Sequence, residues 1–226
     1  AHIKILHQLL DQNYPYVALL NNDTSVEPDW LSNLIRCARE TGADMVSSKM
    51  IYYFDRKLMD NAGHKILNTG EILPIGHKEP VENFTKRFEN IGPCAGAALY
   101  STSMLKDIGV FDPHFSTGYE DAELGLRGVL AGYTSVFEPS AVVYHKIGQS
   151  LNKVRTPEYL AEIQAHILYS YFKLMPTGFL MLNLPFFLLR YVMIFLFDLV
   201  FFRKFYLVLH SRAWKIMFSR TLKKAF

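Results

Sequence analysis

The sequence predicts an α/β domain over residues 1–150, followed by a helical, apolar and basic tail over 151–226. Three observations carry this expectation. A strand-length apolar run at 16–20 stops abruptly in Asn21, Asn22, Asp23 and Thr24; helical and strand-like patterns alternate as far as Tyr144; and 24 mostly apolar residues occupy 179–202. With 226 residues, half of them hydrophobic and 20% charged, the chain has enough apolar surface for a sizeable core, and intrinsic disorder is excluded for most of its length.

Residues 2–12 place Ile3, Ile5, Leu6, Leu9 and Leu10 at helical spacing, and Asn13, Tyr14 and Pro15 end the pattern. The run at 16–20 reads as a buried parallel strand reaching the C-terminal edge of a sheet, where open α/β sheets bind ligands. Pro28 opens a helix through Thr41, with Leu31, Leu34, Ile35 and Ala38 on one face and Gly42 as its stop. Residues 43–48 form the next strand. From 52 to 89, Gly63, Gly70, Pro74, Gly76 and Pro80 predict loops and hairpins, with a short strand near 65–67. The small residues Gly96, Ala97 and Ala98 predict close backbone approach, before a helix at 102–108. A helix at 121–131, closed by Gly132, and two short strands at 135–137 and 141–144 complete the domain.

Three clusters carry chemistry. Asn21-Asn22-Asp23 ends a strand, where a carboxylate suits a divalent ion bound with a diphosphate; an ordinary turn is the plainer reading. Glu120 and Asp121 precede a helix that carries Glu123 and Arg127, and carboxylates there also serve as caps. His145 ends an apolar strand, as a metal ligand or a structural hydrogen-bonder.

In this order Asn21-Asn22-Asp23-Thr24, Gly96-Ala97-Ala98, Gly109-Val110-Phe111-Asp112, Glu120-Asp121-Ala122-Glu123-Leu124 with Arg127, Ala131-Gly132-Tyr133, Pro139-Ser140-Ala141 and His145 resemble the family 2 glycosyltransferases of GT-A fold, notably the rhamnosyltransferase-like branch. The resemblance covers roughly residues 5–150. It implies a Rossmann-like nucleotide-diphospho-sugar transferase domain. Asn21, Asn22 and Asp23 would meet the donor diphosphate, with Asp23 and His145 as ligands to Mg²⁺ or Mn²⁺. Asp121 would be the catalytic base and Glu120 its acidic neighbour; Gly96 and Ala97 would lie against substrate. Arg127 is either a substrate contact or an ion-pair partner of Glu123 or Glu120. Asn21 stands where the family motif carries Asp, which removes one charge from the metal site. The resemblance also implies a strand-helix-strand unit upstream of the metal motif, so the chain is expected to lack most of the nucleotide pocket.

The expected reaction is inverting transfer of a sugar from a nucleotide-diphosphate sugar to a hydroxyl of a glycan or lipid-linked acceptor, in cell-surface polysaccharide assembly. A divalent ion offsets the charge of the departing diphosphate, and a carboxylate takes the proton of the acceptor hydroxyl. A non-catalytic membrane-bound scaffold is the alternative from another class. A phosphoryl or nucleotidyl transferase would want further carboxylates or a phosphate-cradling glycine loop.

Residues 1–150 hold 13 Lys and Arg against 18 Asp and Glu, whereas 151–226 hold 11 against 3. A basic half rich in Phe and Leu favours an anionic membrane surface over nucleic acid. Residues 179–202 are long enough to span a bilayer, but Asn183, Pro185, Arg190 and Asp198 make spanning marginal; Arg190 and Asp198 lie eight apart and are expected to pair or to face protein. Basic and aromatic residues alternate from Arg203 to Lys224, as in an interfacial amphipathic helix. The expected location is the cytoplasmic face of a membrane, monotopic or single-pass. Two cysteines, Cys37 and Cys94, imply no disulfide framework.

Overall fold

A computed structural model describes residues 2–115, 118–146, 157–200, 210–216 and 218. The chain divides into two compact units: residues 1–65, 73–113 and 120–149 form the first, and 66–72, 114–119 and 150–226 the second.

The first unit is a mixed sheet clad by helices. Its helices are α1 (His2–Leu10), α2 (Trp30–Thr41), α3 (Thr102–Ile108) and α4 (Glu120–Leu130). Its strands are β1 (Tyr16–Leu20), β2 (Thr24–Val26), β3 (Met45–Tyr52), β4 (Met59–Asn61), β7 (Phe88–Glu89), β8 (Ala97–Ser101) and β9 (Ser135–His145); the hairpin of β5 (His64–Ile66) and β6 (Ile72–Pro74) lies between β4 and β7 in sequence. The sheet order is β1-β8-β3-β9-β2, with β4 on β3 and β7 on β9. Among the described residues of this sheet β3 and β9 are the one parallel pair; β8 runs antiparallel to both β1 and β3.

The two-residue period of the strands divides the core into two layers. Ala97 and Leu99 of β8 pack with Val46, Val143 and the α2 residues Trp30, Leu34, Cys37 and Ala38. Ala98 and Tyr100, pointing the other way, pack with Leu6, Leu10, Met104, Leu105 and Leu124 from α1, α3 and α4. Helix α2 begins two residues after Pro28 and ends at Gly42, which takes the left-handed conformation expected of a helix stop. Trp30 donates its indole N–H to Ser48 Oγ at 2.8 Å, and Asn33 donates to the Ser140 carbonyl at 2.7 Å, pinning α2 across the sheet.

Two strand expectations need correction. β1 is not a buried parallel strand: it pairs antiparallel with β8, its one neighbour among the described residues, and leaves Leu20 47% exposed. An apolar run of five residues carries no information about strand direction. Residues 135–137 and 141–144 are not two strands but one, β9, whose pairing with β3 slips between Ser48↔Glu138 and Lys49↔Val142. Pro139 has no N–H to give the ladder, and the Glu138 carboxylate instead closes a local turn on the Ser140 N–H (3.0 Å) and hydroxyl (2.6 Å).

In the second unit α5 (Pro157–Leu174) and α6 (Thr177–Val200) join through aromatic contacts, with Tyr171 stacked on Phe187 and Phe172 edge-on to it. Arg190 donates from Nη2 to Glu71 at 2.8 Å and Gln164 at 3.0 Å, so it faces protein, one of the two expectations for it; the Asp198 side chain lies outside the described residues. Helix α6 is long and apolar enough over Thr177–Phe197 to cross a membrane. Most of the basic stretch from Arg203 to Lys224 lies outside the described residues.

Candidate active site

Strand register builds the first half of the site. Thr24 of β2 faces His145 of β9, and Tyr52 of β3 faces His145 from the other side. The residue before β2 is therefore brought to the end of β9: the Lys146 N–H donates to the Asp23 carbonyl at 2.9 Å, and the Asp23 carboxylate Oδ2 lies 3.4 Å from His145 Nε2. The other imidazole nitrogen, Nδ1, is 2.8 Å from Oδ2 of Asp60, a buried carboxylate on β4. Asp60 also has His77 Nδ1 at 3.7 Å from its Oδ1, and His77 meets the Tyr52 hydroxyl at 3.3 Å. Burial by itself would lower the His145 pKa, but Asp60 and then Asp23 outweigh it and hold the imidazole above its ordinary value.

These residues fit a divalent ion. Asp23 Oδ1 is shut from water and has no hydrogen-bond partner among the described residues, and Oδ2 faces an imidazole nitrogen whose ring is held from behind by a carboxylate. A ring nitrogen and a carboxylate, with Asp60 orienting the ring, could hold a divalent ion, and the nitrogen suits Mn²⁺ better than Mg²⁺, which prefers oxygen ligands. Three His, Cys, Asp or Glu side chains do not converge as ligands among the described residues, so further ligands would come from substrate or water.

The second half is built around the loop preceding β8. Asn21 donates its backbone N–H to the Gly96 carbonyl at 2.9 Å, which ties the end of β1 to this loop; its own side chain and that of Asn22 are exposed. A Cβ on Gly96 would sit 3.2 Å from Met50 Cε, 3.5 Å from Asn21 Nδ2 and 3.5 Å from Cys94 Sγ, so the small residue lets these groups converge. Ala97 is fully buried in β8. Helix α4 approaches the same loop backbone to backbone: a Cβ on Gly125 would lie 2.5 Å from the Ile91 carbonyl oxygen, too close to exist. That approach lets the Ala95 N–H donate to Asp121 Oδ2 at 3.0 Å, while Asp121 Oδ1 accepts from the Ala122 N–H at 2.8 Å. Glu120, half-buried, is the first residue of the helix. Burial pushes the Cys94 thiol well above its ordinary pKa, and the carboxylates of Asp121 and Asp60 push it the same way; it remains a protonated filler between them.

Arg127 is turned toward the protein. Its guanidinium donates to both oxygens of Glu123, which is wholly buried, at 3.0 and 2.9 Å, and to the carbonyls of Ile108, Gly109 and Val110. Structure thus joins Asp23 with His145, and Asn21 with Gly96 and Asp121 through successive residues of one loop. Asp60 and His77 were not legible as site residues, because they lie in the irregular stretch at 52–89 where spacing carries no periodic signal; the one clue was a pair of chemically capable side chains among turn residues.

No protein-family model matches the chain. It is 30% identical over 162 residues to the uncharacterized protein y4gI of Sinorhizobium fredii, a match covering 68% of this chain and 18% of that protein. The chain thus spans less than a fifth of that relative's length. Among solved structures it is similar to GalNAc-T7, crystallised with UDP, GalNAc and Mn²⁺: the TM-score is 0.50 at 11% identity, over 75% of this chain and 36% of that one. This is a likeness of fold, to a glycosyltransferase of GT-A type, and it does not extend to the rhamnosyltransferase-like branch. The chain has a mixed α/β, GT-A-like fold, with one apolar helix long enough to cross a membrane among the described residues toward its C-terminus.

Proposed function

We propose that this chain belongs to a metal-dependent, inverting glycosyltransferase that moves a sugar from a nucleoside-diphosphate donor to a hydroxyl of a glycan or lipid-linked acceptor. Residues 1–150 would serve as its catalytic part and 151–226 as a membrane-associating tail at a cytoplasmic face. The observation that carries the reading is the junction of Asp23, His145 and Asp60 at one edge of a GT-A-like sheet, joined through Asn21 and the loop at 94–96 to Asp121. The GalNAc-T7 structure held UDP, GalNAc and Mn²⁺, which supports a sugar-nucleotide donor and a divalent ion. The rhamnosyltransferase-like order of motifs supports envelope polysaccharide assembly as the setting.

Asp23 and His145 Nε2 would hold Mn²⁺ or Mg²⁺, which supplies positive charge against the departing diphosphate. Asp60 keeps the His145 ring oriented with Nε2 toward Asp23. Asp121 would take the acceptor proton: each carboxylate oxygen accepts one backbone N–H, from Ala95 and Ala122, and keeps a further lone pair for a hydroxyl. Direct attack opposite the leaving group inverts the anomeric centre and needs no enzyme nucleophile. Arg127 and Glu123 hold α4, and with it Asp121, against the residues after α3.

Calorimetric titration of the chain with UDP, with and without Mn²⁺, tests the reading. Metal-dependent binding is expected, lost in Asp23→Ala and weakened about 10- to 100-fold in Asp60→Asn. Asp121→Asn is expected to bind UDP as the parent does and to transfer no sugar. Mn²⁺-independent behaviour in all of them would leave the scaffold reading in its place.

A further inference from the structure

A second cavity opens in the first unit and takes no part in the chemistry above. Its volume is about 460 Å³, within the range of small-ligand sites. Three segments bound it: the turn at 13–16 that leads into β1, residues 42–44 before β3, and residues 101–106 from the end of β8 into α3. This is the edge of the sheet opposite the candidate active site, since Tyr16 pairs with Ser101 here and Leu20 with Ala97 at the other end of the same ladder. The segments are tied to one another by backbone. The Ser101 N–H donates to the Asp44 carbonyl at 2.6 Å, and the Thr102 N–H to the Pro15 carbonyl at 3.0 Å.

The lining offers hydrogen-bonding groups of both kinds with balanced charge, Asp44 being its one acid and Lys106 its one base among the described residues. The Ser103 hydroxyl donates to Ser101 Oγ at 3.3 Å, and Ser101 donates to one Asp44 oxygen at 3.1 Å. The other Asp44 oxygen accepts from the Thr134 N–H at 3.2 Å, so each keeps a lone pair for a further donor. Thr102 is 4% exposed, and its hydroxyl, shut from water, has no hydrogen-bond partner among the described residues. A buried polar group left unpaired weakens a fold, and such groups are rare. Threonine in a helix has two χ1 rotamers open to it, so this hydroxyl can turn to a ligand in the cavity that Thr102 lines. Tyr14, in the same lining, is 55% exposed and carries an apolar ring and a hydroxyl on one side chain.

These groups select a class of ligand. A phosphate would want more than one cation, and a metal ion more than one carboxylate. An apolar ligand would bury Asp44 and the Thr102 hydroxyl without partners. A neutral sugar has hydroxyls that both donate and accept, and C–H faces that suit an exposed aromatic ring. We propose that this cavity binds a neutral glycan, with Asp44, Thr102 and Lys106 meeting its hydroxyls and Tyr14 one of its ring faces. The five residues of β1, roughly 17 Å of strand, separate it from Asn21, so the sugar it holds is not the one that reacts. The site itself stands on its own residues; its service as a hold for the acceptor glycan rests on the functional reading above.

The test is calorimetric titration of the full chain, in a detergent that carries no sugar, with neutral trisaccharides of glucose, rhamnose and N-acetylglucosamine. At least one is expected to bind, with or without Mn²⁺ and equally in Asp23→Ala. Tyr14→Ala, a change at the surface, and Thr102→Val, which removes the hydroxyl and keeps the shape, are each expected to weaken that binding about tenfold. Thermal melting of Thr102→Val should be no lower than that of the parent, because the hydroxyl has no partner to lose. A lower melting temperature with unchanged affinity would show the hydroxyl to be structural and overturn the site. No binding of any trisaccharide, or binding lost in Asp23→Ala and indifferent to Tyr14→Ala and Thr102→Val, also overturns it. Glycan binding that depends on Tyr14 and Thr102 in a chain that binds no UDP with Mn²⁺ would leave the sugar site standing and sink the transferase reading; the converse result would do the opposite.

Discussion

The two units of this chain use apolar residues in opposite ways. In the first, Leu34, Leu99, Leu124 and Phe137 are at most 1% exposed, enclosed between a sheet and the helices on its faces. In the second, α6 leaves Leu182 76%, Val200 66% and Leu189 56% exposed, while two of its polar residues turn inward, Arg190 to Glu71 and Gln164, and Asn183 to the Phe179 carbonyl. A surface that hides polar groups and displays apolar ones suits hydrocarbon. The contrast shows that hydrophobic content does not reveal what a residue packs against; the direction in which the polar residues turn does.

That contrast can be broken at its strongest contact first. Arg127→Ala strips the buried Glu123 of a bidentate partner and frees three carbonyls, and should destabilise the first unit by about 3–5 kcal/mol in urea denaturation. Lysine should not rescue it, since one ammonium cannot serve both carboxylate oxygens and the carbonyls together. A loss below about 1 kcal/mol would mean that this ion pair behaves as a surface pair.

In the second unit the expected effect falls on location. The parent chain should remain with membranes after a high-salt wash, and Leu189→Lys with Val192→Lys should release it, each lysine costing about 2.5–3.5 kcal/mol near the centre of a spanning helix. Release of the parent chain by salt alone would reduce the difference between the units to one of charge.

The smallest effect sharpens the comparison within the first unit. Burial alone would raise the Glu138 pKa, but hydrogen bonds from Ser140 and the Arg87 guanidinium outweigh it and hold the carboxyl below its ordinary value. A folded pKa below the unfolded one stabilises the fold above the unfolded value of about 4.3, and that contribution is lost as pH falls through the folded pKa. Glu138→Gln should therefore flatten the acid side of the stability profile while leaving the shape of the neutral region alone. An unchanged acid limb would show that the β9 irregularity does not depend on this charge.

Local patterns in the sequence were read well where they depend on a few neighbouring residues. The helix at 102–108 matches α3, and Gly42 stops α2 because its φ of 72° is open to glycine at no steric cost. The order of Asn21-Asn22-Asp23, Glu120-Asp121 and His145 was likewise visible. Strand direction, the continuity of β9 and the partner of Arg190 were not, since each depends on residues distant in sequence.

By itself, then, the sequence determined the alternation of helix and strand, the division between an acidic first part and a basic, greasy tail, and the residue types able to carry the chemistry. Only the tertiary structure decided that Asp60 stands behind His145, that Asp121 is held by Ala95, and that Lys146 reaches the Tyr53 ring. Helix and strand patterns reflect interactions over a few residues, whereas these contacts are fixed by strand register and backbone approach between segments 26 to 93 residues apart, for which no local periodicity exists.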